Sequence, residues 1–389
     1  MYREKRTCVK RLETKRILFF IESLSGGGAE KVLSTIVKHI DTQKFDVTVC
    51  VITAGGEYDE DVANYVRLYP LLKRQETYHG VGKIWYRLKY HLIYDWLPRR
   101  MVCQLFLPRD CDVEIAFVEG FATKLLSYST NSKAKKIAWV HCDLKNQPWP
   151  IQKGIYRNKE EETEVYRKYH KVVCVSKQAE QVMKEYYGLS NTKTIYNPLD
   201  SAEILKSAKQ PCSQYVDATQ FNVVVVGRLE RVKGYDFLIP IIHHIREKGA
   251  NVHLWIVGEG SEAANLNHLV QDNGLENGVT FTGFLKNPYS LMSQMDLFVC
   301  SSRAEGYSLV VAEALILGIP VVSMRCLGPE ELLDDGKYGA LCDNYEQLEN
   351  IIAQLVKDRN KYEDLKHMAE GAMERFDIEQ TMLQVSGVL

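Results

Sequence analysis

The sequence predicts an α/β protein made of two Rossmann-like, doubly wound domains. Three observations carry this. Its 389 residues exceed one ordinary core. Short β-branched apolar runs alternate with amphipathic stretches along most of it. One polar interval containing Pro198 and Pro211 splits that alternation in two.

The elements follow in order. After the basic start MYREKRTCVKRLETKR, the run RILFFI (16–21) reads as a buried strand. SLSGGGAEKVLSTIVKHI then reads as a glycine loop opening an amphipathic helix from about position 29. Strand, loop and helix form the opening unit of a doubly wound sheet. FDVTVCVIT, VEIAFVE, KKIAWV and KVVCVS repeat the near-continuous apolar pattern of parallel strands covered on both faces. From Asn197 the pattern lapses into PLDSAEILKSAKQPCSQYVDATQ. It restarts with VVVV (223–226), a helix near 235–247, HLWIV (253–257), VTFTG, DLFVC (296–300), a helix near 308–317 and PVVS, followed by helices. The expected domains are 1–200 and 201–370, with a helix over 371–389 placed to pack back on the N-terminal domain. Facing domains of this kind hold a ligand in the cleft between them, at the carboxyl ends of their strands.

Composition narrows the function classes. At 46% apolar and 25% charged, the chain fits neither a disordered nor a fibrous protein. No apolar stretch is long enough to cross a bilayer and no apolar signal core follows the basic start, so the protein is expected to be neither exported nor inserted. Ten cysteines without a C-x-x-C pair point to reduced thiols rather than a zinc cage or disulfide framework.

The net charge of −1 hides an asymmetry. Residues 1–200 hold 33 Lys and Arg against 24 Asp and Glu, a charge of +9, and the remainder holds 16 against 26, or −10. Positions 67–109 alone carry nine cations against Glu76 and Asp95, interleaved with eight aromatics. Lys83, Arg87, Lys89, Arg99 and Arg100 lie among Trp85, Tyr86, Tyr90, Tyr94 and Trp96, a mixture suited to an anionic lipid surface. The alternative is a solvated helical face whose aromatics pack inward. No nucleic-acid-binding module accompanies the charge, so nucleic acid is not an expected partner.

Two motifs carry chemistry. Gly227-Arg228-Leu229-Glu230-Arg231-Val232-Lys233-Gly234 directly follows a strand, and its glycines let the loop bend close to a ligand while Arg228 and Lys233 supply two cations. That is chemistry for a diphosphate; the bland alternative is surface cations on a connecting loop. In the second, Glu305 follows the strand DLFVC, and the amides near Ser308 and Leu309 fall at the next helix's N-terminus, where anions are attracted. Glu313 sits in an otherwise apolar helix. Eight helical positions span at most about 12 Å, comparable to the reach from a sugar across a diphosphate to a ribose.

These residues resemble glycosyltransferase family 4. The Glu305–Glu313 run is similar to the E-x7-E motif of retaining nucleotide-sugar glycosyltransferases, and GRLERVKG, IVGEGSE (256–262), VTFTGFLKNP (279–288) and EALILGIPVVS (313–323) come in the family's order. SGGGAEKVL (25–33) looks like the family's glycine loop, and VCVSKQAE and IYNPLD resemble its segments before the linker; only residues 55–135 lack a clear counterpart. The resemblance implies a GT-B architecture with an acceptor-binding N-terminal domain. It departs from commoner forms at Tyr307-Ser308 and Asn197-Pro198, which leaves the diphosphate site intact and bears on the donor sugar.

What the resemblance implies, residue by residue, is as follows. Arg228 and Lys233 neutralise the donor diphosphate, Glu305 contacts donor-sugar hydroxyls and Glu313 holds the ribose. Amides near Ser308, Leu309, Gly27 and Gly28 meet phosphate oxygens. His141, in WVHCD, corresponds to a histidine on the acceptor side, with Asp143 beside it; from the residues alone, a lone histidine after an apolar strand is more often structural. The implied reaction is retaining transfer of a hexose or N-acetylhexosamine from a UDP-sugar to a sugar acceptor on a polyprenyl diphosphate, in cell-surface glycan (polysaccharide) synthesis. It would take place in the cytoplasm, peripherally on the inner face of the plasma membrane. No cofactor is implied, and no metal, because the cations and amides balance the leaving group's charge. The competing readings are a GDP-sugar-dependent transferase, a sugar-nucleotide epimerase of the same fold, and a non-catalytic dinucleotide binder. The last is disfavoured because SGGGAE is not G-x-G-x-x-G and no acidic residue closes FDVTVCVIT.

Overall fold

The computed structural model describes residues 14–389. Two sheets organise it. The first contains β1 (Lys15–Ile21), β2 (Phe45–Thr53), β3 (Arg67–Leu72), β4 (Val113–Ala116), β5 (Lys135–Val140), β6 (Lys171–Cys174) and β7 (Thr192–Thr194), in the order β3-β2-β1-β4-β5-β6-β7. The second contains β8 (Phe221–Val226), β9 (Val252–Val257), β10 (Val279–Gly283), β11 (Leu297–Cys300), β12 (Val321–Met324) and β13 (Ala340–Cys342), in the order β10-β9-β8-β11-β12-β13. β1 pairs in parallel with β2 and β4, and β8 with β9 and β11. Each sheet therefore runs outward in both directions from its own first strand, the doubly wound order, with a topological switch point at β1/β4 and at β8/β11.

Burial explains the strand composition. Ile17 to Ile21 and Val49 to Ile52 are almost inaccessible to solvent, as are Val113, Ile115 and Ile137. Such strands bury both faces and read as unbroken apolar runs. Each fully buried aliphatic side chain contributes about 1.5–3 kcal/mol of transfer free energy. In the second sheet Val223, Val225, Leu254 and Ile256 pack with Leu238, Ile242 and Ile245 of the helix Tyr235–Glu247 and with Leu348 and Ile352 of the helix Tyr345–Lys357. Pro240 interrupts no sequence pattern in the former helix because the apolar stripe continues through it.

Three strands escape the apolar pattern. β3 carries Arg67 and Pro70 and pairs only along one side, at the sheet's edge, where proline is tolerated. β7 and β13 are three residues each, too short to show a period.

Contacts divide the chain into two compact units. The first comprises the described residues up to Trp139, Ile155–Val172 and Ser386–Leu389; the second comprises Val140–Gly154 and Val173–Val385. Within the first, Lys135 Nζ donates to the Val388 carbonyl at 2.7 Å and Lys15 donates to that of Leu389. None of the nine described cysteines is in a disulfide; Cys8, with the basic start through Glu13, lies outside the described residues. No helix among the described residues is long and apolar enough to cross a membrane.

Candidate functional site

In the second unit the loop after β8 is built against two neighbours. Gly227 donates to the Val257 carbonyl at 2.9 Å, Leu229 N donates to Glu259 O at 2.8 Å, and Glu262 N returns to Leu229 O at 2.9 Å. A side chain at Gly258 would run into the Gly227 carbonyl, which is why IVGEGSE carries glycine there. On the other side Ser301 Oγ donates to Lys233 O at 2.8 Å, and Arg303 N donates to Val232 O at 2.8 Å. Gly234, at φ +70°, closes the loop with its α-carbon against the Ser301 carbonyl.

This clasp sets two side chains together. Lys233 Nζ lies 2.6 Å from Glu305 Oε1, and Ser302 Oγ donates to the same oxygen at 2.7 Å. Burial pushes the Lys233 ammonium down, and the Glu305 carboxylate more than reverses it through charge and hydrogen bond, holding it above the ordinary lysine range. Arg228 stands exposed at the loop's start, and its charge acts against that of Lys233.

Ser308 precedes the helix Leu309–Ile316 in the left-handed region, at φ 66° and ψ 78°, unusual for a residue with a side chain. Its Oγ is buried and has no hydrogen-bond partner among the described residues. Glu313, on the same helix, is 1% exposed amid apolar neighbours. Among the described residues no group of three or more His, Cys, Asp or Glu side chains is placed to hold a metal ion; D-x-D triplets occur at Asp59–Asp61 and Asp110–Asp112, both in the first unit.

Comparison with known proteins bears directly on this arrangement. Residues 26–203 match the model of Glycosyltransferase Family 4, and residues 209–372 match that of glycosyl transferases group 1. The chain belongs to the family 4 glycosyltransferases. An uncharacterized glycosyltransferase of Haemophilus influenzae is 24% identical over 381 residues, 96% of this chain and 100% of that one. The O-antigen biosynthesis glycosyltransferase WclY of Escherichia coli is 32% identical over 200 residues, 49% of this chain and 53% of its own. Anabaena HepE, solved in complex with UDP-glucose, superposes with a TM-score of 0.74 at 22% identity, over 96% of this chain and 98% of that chain. The shared fold is GT-B.

In this glycosyltransferase His141 follows β5 within the second unit, and its carbonyl lies where a side chain at Gly306 would otherwise sit. Ser176 Oγ donates to the Gly306 carbonyl at 2.9 Å and caps the helix Lys177–Glu185. Asp143 is buried and occupied by its own loop: Oδ1 accepts from Lys145 N and Asn146 N, and Oδ2 from Asn146 Nδ2 at 2.7 Å. Arg228, Lys233, Glu305, Ser308, Leu309, Glu313, His141 and Asp143 thus share the second unit. Gly27 and Gly28 belong to the first, where Gly27 precedes the helix Gly28–His39 and would press any side chain against Glu30.

The basic, aromatic segment of the glycosyltransferase forms the helix Val81–His91, a π-helical turn at Leu92–Trp96 and the helix Arg99–Phe106. Its cations divide into two groups. Lys89 Nζ donates to the Leu71 carbonyl at 2.6 Å, and Arg99 donates to the carbonyls of Ile93 and Tyr94, at 3.2 and 2.6 Å, over the ring of Phe121. Burial pushes the Arg99 guanidinium down. Lys83, Arg87 and Arg100 are exposed. Trp85 and Trp96 do not pack inward: they are 65% and 59% exposed, beside Ile84 at 67%.

Ser301, Ser302 and Ser176 hold the loops but carry no signal in the sequence beyond small polar residues at strand ends. Glu22 is an acidic residue directly after the first apolar strand.

Proposed function

We propose that this glycosyltransferase moves a hexose or N-acetylhexosamine from a UDP-sugar to a sugar acceptor carried on a polyprenyl diphosphate, with retention of anomeric configuration, in the synthesis of a cell-surface glycan. The observation that carries the reading is the Lys233–Glu305 pair, clasped between two glycine-bearing loops at the carboxyl ends of β8 and β11. A partly desolvated, permanently charged ammonium beside exposed Arg228 matches the charge that develops on a departing diphosphate. Amides at Ser308 and Leu309 add the pull of a helix N-terminus. Glu305 meets donor-sugar hydroxyls, Glu313 the ribose and His141 the acceptor side. No metal is needed for charge balance in this scheme.

The similarity to WclY and the likeness to HepE bound to UDP-glucose support a UDP-sugar and an O-antigen-like product. Exposed Lys83, Arg87 and Arg100 around Trp85 and Trp96 support peripheral attachment to the inner face of an anionic membrane, cations at headgroup level and indole rings at the interface. The test is a screen of UDP- and GDP-sugars for cleavage, followed by mass spectrometry and anomeric NMR of products formed on polyprenyl-diphosphate sugars. Cleavage of UDP-sugars with an α-linked product is expected. Preference for GDP-sugars, inversion, or epimerisation without an acceptor would overturn the corresponding part.

A further inference from the structure

Glu22 is the first residue after β1, at the switch point of the first sheet, where ligands of doubly wound sheets bind. Its backbone is fixed, because its carbonyl accepts from Ile52 N and Thr53 N at 3.0 and 3.2 Å. Its carboxyl is half-buried and, among the described residues, has a single hydrogen-bond partner: Tyr94 Oη donates to Oε2 at 3.3 Å. Tyr94 is itself well held, its ring 4.5 Å from that of Phe121 and 4.6 Å from that of Tyr90, and its carbonyl bonded by Arg99.

Among the described residues, the groups that act electrostatically on the Glu22 carboxyl are Glu30 from the helix Gly28–His39 and Tyr94 and Tyr90 from the segment above, none of them a cation. Burial raises the carboxyl to about 7, with Tyr94 opposing and Glu30 adding to the rise. A carboxyl so placed does little for the fold, since an uncharged side chain would satisfy the site without the desolvation cost. Its second oxygen remains available to a ligand, next to the partly exposed ring of Tyr90, which offers an apolar face of the kind a pyranose ring packs against.

We propose that Glu22 is an acceptor-recognition residue, its carboxylate taking a hydrogen bond from a hydroxyl of the acceptor sugar, with Tyr94 as its positioning residue. The inference rests on the transferase reading above and deepens it. Only the ionised carboxyl has both oxygens free to accept, and a charge-assisted bond is about twice as strong as a neutral one, so acceptor binding strengthens as pH rises through the titration of Glu22.

The test uses the full chain, the nucleotide sugar cleaved fastest in the donor screen, and p-nitrophenyl glucosides, galactosides and N-acetylglucosaminides as acceptors. Glu22→Gln is expected to raise the acceptor KM at least tenfold while donor KM and acceptor-free hydrolysis stay within twofold. Acceptor kcat/KM of the unaltered protein should climb through about pH 7. Glu22→Gln should flatten that limb, and Tyr94→Phe should move it upward by removing the hydroxyl that favours ionisation. Unchanged acceptor KM and pH profile in Glu22→Gln would overturn the proposal. So would failure of every glycoside with a protein that hydrolyses the donor, or an equal rise in donor KM. A protein that cleaves no nucleotide sugar would instead remove the transferase reading itself.

Discussion

Lys233 and Glu305 meet at 2.6 Å from loops 72 positions apart in the chain. The carboxylate holds the ammonium charged in a place that water reaches poorly. A buried ion pair of this kind adds little net stability, because desolvation cancels most of the attraction, but breaking it by removing one partner is costly. Its value is in presenting a cation of fixed position and charge, one that a second, stronger anion can share.

Arg228→Ala and Lys233→Ala are each expected to slow transfer by about 100-fold or more, the scale of losing one electrostatic contact to the leaving group. Their effects on the fold should differ. Arg228 is exposed, so its removal should leave the melting temperature unchanged. Lys233→Ala strands a part-buried carboxylate and should cost about 3 kcal/mol in urea unfolding. Near-normal turnover of both variants at saturating donor would remove the diphosphate assignment.

If the cations and amides balance the phosphate charge as proposed, activity is expected to survive EDTA. Turnover measured after chelation, then with added Mg or Mn, decides this; loss with rescue would assign the charge balance to a metal.

Gly234→Ala is expected to destabilise the protein by about 2 kcal/mol or more. The residue adopts φ +70°, and an added methyl would meet the Ser301 carbonyl, backbone that can yield only if the clasp opens. Thermal unfolding measures the loss, and donor affinity should fall with it.

Changing Lys83, Arg87 and Arg100 to Ser should weaken sedimentation with phosphatidylglycerol vesicles, each contributing about 1 kcal/mol. Binding should fall with salt, as the Debye length is about 8 Å at physiological ionic strength. Trp85→Ser with Trp96→Ser should remove the salt-resistant remainder. Lys89→Ser and Arg99→Ser should instead lower stability, because both side chains are tied to backbone carbonyls. Equal sedimentation of all variants would return the segment to a solvated face.

Glu22 also predicts a pH dependence of stability. Its carboxyl titrates higher in the folded protein, at about 7, than in the unfolded chain, so folding takes up a proton between the two values. That contribution is fully present below the ordinary carboxylate range and is lost as pH rises to about 7. Glu22→Gln should therefore melt higher than the unaltered protein above pH 7, with the difference shrinking on acidification. Parallel melting curves across that range would place the titration elsewhere.

The features legible in the sequence were those that local chemistry imposes. Runs such as VVVV are apolar because both sheet faces are covered, and GRLERVKG is recognisable because a loop that must approach another backbone needs glycine at its ends. β3 was hidden by Arg67 and Pro70, which an edge strand tolerates. Lys89 and Arg99 look like Lys83 and Arg87 to any count of charge; only packing shows that they serve backbone carbonyls. The contact between His141 and Gly306 joins positions 165 apart, and no local pattern encodes such a distance.

The return of Ser386–Leu389 to the first unit bears on how the protein is made. Ser386 leaves the ribosome 214 positions after Val172, the previous residue of that unit. Domains ordinarily fold in the order of synthesis, N-terminal first. Here the ammonium groups of Lys15 and Lys135 must wait for the carbonyls of Leu389 and Val388, so the early-made half emerges unfinished and is completed after the late-made one. The first unit is therefore expected to be completed last, and a chain stalled before Ser386 would leave Lys15 and Lys135 without these carbonyls.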